Sequence, residues 1–405
     1  MATTTHDIRV LTRTRHVAAA AATFRTAMVG LPLPACDDAH VAALAEPGRT
    51  LGAFDGREVI GSAGSYTSWL TVPGGARVPH AAVTQVGVLP THTRQGVLTA
   101  LMRRQLADIA ARGEVVASLR ASEAAIYERF GYGIATWAAD YELNRRRGLL
   151  RDTLDGSGPV RLAGRAESSK PLADIYRAAA WTGSIDRPQY WWNLRQLLAE
   201  AEPGPDYLAV HGTEGAEDGY VSYHPVGTLE WFRSRDRTVV VDDFVAHSER
   251  AYLGLARHLA ALDLVDTIRL PGRPVDDPLP LLFTDARAVR VISVRDETWL
   301  RLVDVSRALA ARSYDATGSL VIAVTDELLP ANTGGYRISA SGVHRTGDPA
   351  DISLGVAALA SAYLGGTRFS ALAQAGRVTQ HRPGALAAAE RLFATPRAPF
   401  AGTSF

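Results

Sequence analysis

Residues 83–106, VTQVGVLPTHTRQGVLTALMRRQL, read as strand, loop and helix. Val83, Val86 and Val88 favour a pleated strand, and Pro90 stops the ladder because it has no N–H to donate. From Gly96 onward, Leu98, Leu101, Met102, Leu106 and Ile109 recur at helical spacing, forming an apolar stripe that needs a sheet to cover it. Gly87, inside the strand, predicts a bulge or a close approach by another backbone. Arg94, Gln95 and Gly96 precede a helix start whose first N–H groups lack internal partners and carry partial positive charge, so the loop suits a phosphate.

The flanks supply a mixed sheet. Residues 8–11 predict a first strand, and the alanine-rich 16–28 predict a helix leading to a loop with Pro32 and Pro34. Asp55-Gly56 predicts a tight hairpin between strands 51–54 and 59–66, and Pro73-Gly74-Gly75 a second turn. A strand at 115–119, a short helix near 123–130 and a strand after Gly133 follow. Residues 1–150 thus read as an α+β unit of ordinary domain size.

A loop with Gly156 and Gly158 opens a second span, 151–293. Within it, Pro188 marks a helix start in RPQYWWNL, 187–194, whose tryptophans suit a core, an interface or a pocket wall. Strands are expected at 207–211, 219–224, 228–232 and 238–244. Residues 242–262 repeat the strand-then-helix order with Gly254 where Gly96 falls. There, however, Ser248 reads as an N-cap, and Ala251, Tyr252 and Leu253 replace the phosphate-loop residues. This span reads as a copy of the first that has lost its cofactor site. The last span, 294–405, predicts a strand at 299–303, a helix at 306–312, and strands at 320–325 and 336–341 around a Gly334-Gly335 turn. A part-helical 352–364 and two short helices follow, and Pro396 and Pro399 extend the tail to Phe405.

A chain of 405 residues is too long for one ordinary core. Its 43 basic and 42 acidic residues leave a net charge of +1, which argues against a nucleic-acid coat or a membrane-surface protein. Cys36 is the single cysteine and cannot close an internal disulfide, and no Cys/His cluster has metal-site spacing, so no metal is expected. The N-terminus lacks the apolar core of a leader and no run reaches the length of a membrane span, so a soluble cytoplasmic protein is expected.

VTQVGVLPTHTRQGVLTALM, the stretch SEAAIYERFGYG at 122–133, the late YLGGTRFSALAQAGRV and a chain ending in phenylalanine together resemble the Eis (enhanced intracellular survival) family of GNAT acetyltransferases. The resemblance covers the first span well, the last moderately and the middle mainly by position. It implies an α+β fold of two tandem GNAT-type domains, the second degenerate, followed by a sterol-carrier-protein-like α+β domain, assembled as a homo-hexamer. The implied activity is acetyl-CoA-dependent N-acetylation of an amine, whether aminoglycoside-like, another small molecule or a lysine side chain, with no nucleic-acid or membrane partner.

Family positions carry over residue by residue. Val86, Gly87 and Val88 match the backbone that binds pantetheine and the thioester and stabilises oxyanion charge. Arg94, Gln95, Gly96, Val97, Leu98 and Thr99 match the pyrophosphate loop, and Ser122 and Glu123 match positions beside the cofactor. Thr93 stands where the family has a basic or glutamine residue, which removes one side-chain contact to phosphate and leaves the amides. Tyr127 matches the general acid. A phenol with a pKa near ~10 stays protonated at neutral pH and can donate to a thiolate whose conjugate acid lies at about 8.5. Read without the family, Tyr127, Phe130 and Tyr132 form an aromatic core cluster.

Phe405 matches the residue whose terminal carboxylate is the general base. An α-carboxylate with a pKa of roughly 3.5 needs burial to raise it, or acts by holding the incoming ammonium ion. Phe24, Thr26, Gln85 and Ser404 match the family's substrate pocket. Thr26 and Ser404 stand where aminoglycoside-acetylating members carry carboxylates, so weaker attraction for a polycation is expected. The third domain raises a rival function, a lipid carrier with a vestigial acetyltransferase.

Overall fold

The Asp-Gly hairpin forms as expected: β2 (Leu51–Asp55) pairs antiparallel with β3 (Glu58–Thr71), with Asp55 opposite Glu58 and Gly56 in the left-handed region at φ 57°. In the computed structural model, which describes residues 6–29, 31, 41, 44–152, 157–164, 169–179, 181–201, 204–314 and 318–403, this hairpin sits in a seven-stranded sheet. One neighbour is β1 (Asp7–Val10), which is followed by α1 (Thr14–Ala27). On the other side, β4 (Arg77–Val88) runs antiparallel to β3 across the Gly74-Gly75 turn. Next come α2 (Val97–Ala111), which buries the predicted stripe of Leu101, Met102, Leu106 and Ile109, then β5 (Val116–Leu119), α3 (Ala124–Tyr127) and β6 (Gly133–Ile134).

Strand pairing brings together segments from the spans 1–150, 151–293 and 294–405 drawn from the sequence. Two units result: Met1–Thr136 with Ile185–Glu202 and Thr298–Phe405, and Trp137–Ser184 with Pro203–Glu297. In the second unit, β7 (Trp137–Asn144) joins β8 (Val160–Ala163), β9 (Tyr207–His211), β10 (Gly219–Val226), β11 (Thr238–Ala246), β12 (Thr267–Pro274) and β13 (Val289–Asp296) in the order β13-β7-β12-β11-β10-β9-β8. The helices of that stretch are α4 (Ser169–Ala178), α5 (Gln189–Ala201), which belongs to the first unit, and α6 (Glu249–Ala260). Residues 228–232, expected as a strand, instead contain a 3-10 turn at Thr228–Glu230. Because β10 pairs directly with β11, that segment has no free edge to join, and Leu229 and Phe232 stay exposed.

The third predicted span begins with β14 (Trp299–Leu302), which inserts between β5 and β6 in the first sheet, with Trp299 opposite Leu119 on one side and Ile134 on the other. Beyond it lie α7 (Val305–Ala311), β15 (Ser319–Thr325), β16 (Gly334–Ser339), β17 (Gly342–Thr346) and β18 (Ile352–Gly355), then α8 (Val356–Tyr363), α9 (Phe369–Gln374), β19 (Val378–Gln380) and α10 (Ala385–Phe393). Gly334-Gly335 opens β16 rather than forming the expected turn. The five-stranded sheet is filled by its own side chains. Tyr336, Tyr363, Phe369 and Phe393 are buried, with the two phenylalanines edge-to-face at 4.9 Å. This core is continuous with Leu70, Val116 and Leu300 of the first sheet.

The glycines of the FGYG segment explain that junction. A Cβ on Gly133 would overlap the Ala357 carbonyl, and one on Gly131, at φ 82°, would meet the Arg301 guanidinium at 2.7 Å. Arg301 is fully buried and pairs with both oxygens of Asp326 at 2.7 and 2.8 Å.

Candidate active site

β4 and β5 run parallel only where His80, Ala81 and Ala82 face Val116, Ala117 and Ser118. Past that point β4 continues to Val88 without β5, and the two strands part. A bulge marks the same place. Ser62 opposes Gly87 and Gly64 opposes Thr84, so Gln85 and Val86 together face one residue of β3. Gln85 takes φ 52°, a region a side chain rarely occupies outside functional or strained sites. Backbone groups released by the bulge find side-chain partners: Ser62 donates to the Gln85 carbonyl at 2.8 Å and Gln105 to that of Gly64 at 2.9 Å. The bulge is thus centred two residues before Gly87, so of the two alternatives for that glycine it is not the bulge that applies.

Gly87 serves the other alternative. A Cβ there would come within 2.9 Å of the Ala27 Cβ and 3.4 Å of the Phe24 Cα, so the glycine lets α1 lie directly on the strand. That contact sets Phe24 over the bulge.

A cavity of about 480 Å³ opens at the split between the strands. Its floor is Val83, Thr84, Gln85 and Val86 on one side and Leu119, Arg120 and Ser122 on the other. α1 contributes Val17, Ala21, Phe24 and Met28, one face of a helix, and α5 contributes Trp191, Leu194 and Leu198 at the same periodicity. The tryptophan-rich segment is therefore a pocket wall. Arg187 stacks its guanidinium on the Trp191 ring at 4.3 Å and fixes its plane.

Tyr127 lines the cavity from α3, 5% exposed and edge-to-face with Tyr132 at 6.0 Å. Burial pushes its phenol up to about 12, so the ring keeps its proton. The aromatic-cluster reading and the cavity reading both hold, since Phe130 and Tyr132 are core while Tyr127 faces the opening.

The end of the chain reaches this place. Ala401 and Thr403 are buried. Arg120, itself a lining residue, donates to the Thr403 carbonyl at 2.6 Å, while Arg187 donates to the Thr403 hydroxyl at 2.9 Å and to the Gly402 carbonyl at 2.8 Å. Ser404 and Phe405 lie outside the described residues.

The loop between β4 and α2 has the build of an anion cradle. Thr93 and Arg94 are both exposed; the Thr93 hydroxyl donates to the Pro90 carbonyl at 3.1 Å, and Arg94 is left-handed at φ 61°. Gly96, at φ 88°, is the N-cap of α2 and supplies no side chain to it, so the amides of Val97, Leu98 and Thr99 point outward. The matching end of α6 is built differently. Ser248 caps the Ala251 amide at 3.0 Å and donates to Asp218 at 2.7 Å, and the space over Gly254 is taken by His211 and the Ser157 carbonyl. A carboxylate at a helix start disfavours phosphate there.

The Acetyltransferase (GNAT) domain model matches residues 7–135, a second such model matches 183–302, and the Sterol carrier protein domain matches 305–402. N-acetyltransferase Eis of Mycobacterium tuberculosis is 34% identical over 343 residues, covering 81% of each chain. The crystal structure of Eis1 from Mycobacterium abscessus is 55% identical with a TM-score of 0.94, covering 98% of this chain and 100% of that one. This chain belongs to the Eis family of GNAT N-acetyltransferases. An uncharacterized N-acetyltransferase of Streptomyces coelicolor is 38% identical over 388 residues, 92% of this chain and 93% of that one. A GCN5-related N-acetyltransferase from Anabaena variabilis, at 21% identity and a TM-score of 0.85, shares the fold.

Some of the site residues expected from the resemblance meet in the structure. Phe24, Gln85, Val86, Ser122 and Tyr127 line one cavity. Gly87 and Val88 continue the same strand, and Arg94, Gln95 and Gly96 lead into α2. Glu123 is exposed beside Ser122 as the N-cap of α3. Thr26 is not brought in. It is exposed on α1, and its hydroxyl donates to the Ala22 carbonyl at 3.0 Å. Arg120 and Arg187, which anchor the tail, had no signal in sequence beyond being arginines near a strand end and a helix start.

Proposed function

We propose that this Eis-family enzyme transfers the acetyl group of acetyl-CoA directly to a small-molecule amine in the split between β4 and β5. The reading rests on one observation above all: Val86, Tyr127 and Arg120, with the chain end at Thr403 hydrogen-bonded to it, converge on a single cavity. Acetyl-CoA, when bound, supplies the activated thioester. The outward amides at the start of α2, with Arg94, suit its pyrophosphate, and the exposed left-handed loop leaves room for it. Backbone N–H groups at 86–88 oppose the charge that grows on the carbonyl oxygen.

The amine loses its proton to the terminal carboxylate of Phe405, and its nitrogen forms the new bond to the acetyl carbon as the carbon–sulfur bond breaks. Tyr127 gives its proton to the departing sulfur. Burial raises the phenol, but the same apolar walls also raise the pKa of the thiol that forms, so the proton passes between two desolvated groups. The filled interior of the sterol-carrier-like domain favours scaffolding and delivery of the C-terminus over lipid carriage. A homo-hexamer in the cytoplasm accompanies this reading.

An amine panel with mass detection tests it on wild type, Tyr127→Phe and a chain extended past Phe405. Both variants are expected to bind acetyl-CoA and to lose turnover by about 100-fold or more. Full turnover in the extended, uncleaved protein contradicts the role of the terminal carboxylate.

A further inference from the structure

The described lining of the cavity contains no side-chain carboxylate, and the one acid proposed above to act there, the Phe405 terminus, is taken up by the reacting amine. The lining contains three arginines, Arg25 on α1, Arg195 on α5 and Arg120 at the floor. Arg120 is engaged by Thr403. Arg25 and Arg195 have no ion-pair partner among the described residues, and Arg195 only leans on the Trp191 ring at 5.6 Å. Among the described residues, the acids next in sequence to the lining do not enter it. Glu46, next to the lining residue Ala45, accepts from the Thr67 amide at 2.6 Å and hydroxyl at 2.7 Å, with Arg49 alongside at 3.8 Å. Glu123 is exposed outside the lining.

The charges are also placed unevenly. Val86 belongs to β4 and Tyr127 to α3, whereas Arg25 and Arg195, without an ion-pair partner among the described residues, belong to α1 and α5, the helices that also contribute Phe24, Trp191 and Leu194. An amine that reaches the floor puts its body against those apolar side chains and its far end near cations. Attraction there rewards a negative group and repels a second ammonium.

Resting on the acetyl transfer proposed above, we propose that the acceptor is an apolar amine carrying an anionic group at the end remote from the amine. Arg25 and Arg195 read that group, and the apolar wall reads the segment between. Polycationic acceptors bind poorly for the same reason.

Three probes on one skeleton isolate the charge: phenethylamine, 4-(2-aminoethyl)benzoate, and the same ring bearing an aminomethyl group in place of the carboxylate. Turnover is measured by thiol release from acetyl-CoA, and affinity by calorimetry without acetyl-CoA. The carboxylated probe is expected to exceed phenethylamine by roughly tenfold in kcat/KM and in affinity, and the dication to fall below both. In Arg25→Gln/Arg195→Gln, and in part in the solvent-side Arg195→Gln alone, the ratio is expected to shrink toward one. A preference for the neutral or dicationic probe, or a ratio unchanged by the double variant, overturns the proposal. If no probe is acetylated, acetyl transfer to such amines fails, and the calorimetric order and its response to the variants still decide the charge preference.

Discussion

Arg120 Nη2 donates to the carbonyl oxygen of Thr403 at 2.6 Å, joining the end of β5 to a residue 283 positions later. Arg120 lines the cavity, so the bond ties Thr403 to it. A strand end and the segment up to Thr403 are thereby joined beside one cavity.

Removing that anchor should separate catalysis from cofactor binding. In Arg120→Ala the tail loses its nearest tether while the α2 loop is untouched. A displacement of about 1 Å in a reacting group can lower turnover by on the order of 100-fold. We expect kcat to fall by between about 10- and 100-fold with acetyl-CoA affinity held within about twofold, read by steady-state kinetics and calorimetry. Equal losses in both would point to a general collapse of the cavity.

Gly87 should tolerate no side chain. A Cβ placed 2.9 Å from that of Ala27 forces α1 off the strand, and overpacking of this kind costs about 1–3 kcal/mol. Gly87→Val is expected to lower the thermal midpoint and raise KM for the amine, because Phe24 moves with the helix. An unchanged amine KM would show that α1 does not set the cavity wall.

Tyr127 makes a distinct prediction for pH. With its phenol pushed up to about 12, it stays protonated across the working range, so kcat/KM should rise as the amine deprotonates and then hold level to pH 10. The check is a profile from pH 6 to 10.5 on wild type. An alkaline fall with a midpoint between 8 and 10, absent from the residual activity of Tyr127→Phe, contradicts the buried acid.

His80 links pH to stability. It is fully buried, bonded to Ser118 at 2.8 Å, and lowered to about 3 by burial first and by the nearby Arg49 second. The unfolded chain takes up its proton near 6.5 and the folded one only near 3, so the contribution is complete above 6.5 and is lost as pH falls between those values. Over pH 6.5 to 5, where most carboxylates remain charged, the loss approaches about 1.4 kcal/mol per pH unit. Urea titrations should show that slope in wild type and a flatter one in His80→Leu, whatever the absolute stability of the variant.

Local chemistry was legible in the sequence. The Asp55-Gly56 hairpin, the stripe of α2, the Gly96 loop and the Ser248 cap all formed where short-range rules put them, because each depends on neighbours within a few residues. Gly87 was readable only as a choice. Close approach won because Phe24 and Ala27, some sixty residues earlier, pack on it, while the bulge moved to Gln85, a residue with no preference for that conformation. Trp191 was ambiguous for a similar reason, since an aromatic stripe looks alike whether it meets a core or a cavity.

What the sequence determined by itself was the order of strands and helices in the first span, the family, and the residue types available for chemistry. Tertiary structure decided which of them meet. β14 lies between β5 and β6 although it comes about 165 residues later, α5 returns to the first unit, and Arg120 and Arg187 hold the tail at the cavity. These pairings are set by shape and burial between distant segments, and a buried strand or a lone arginine carries no mark of its partner until the chain has folded.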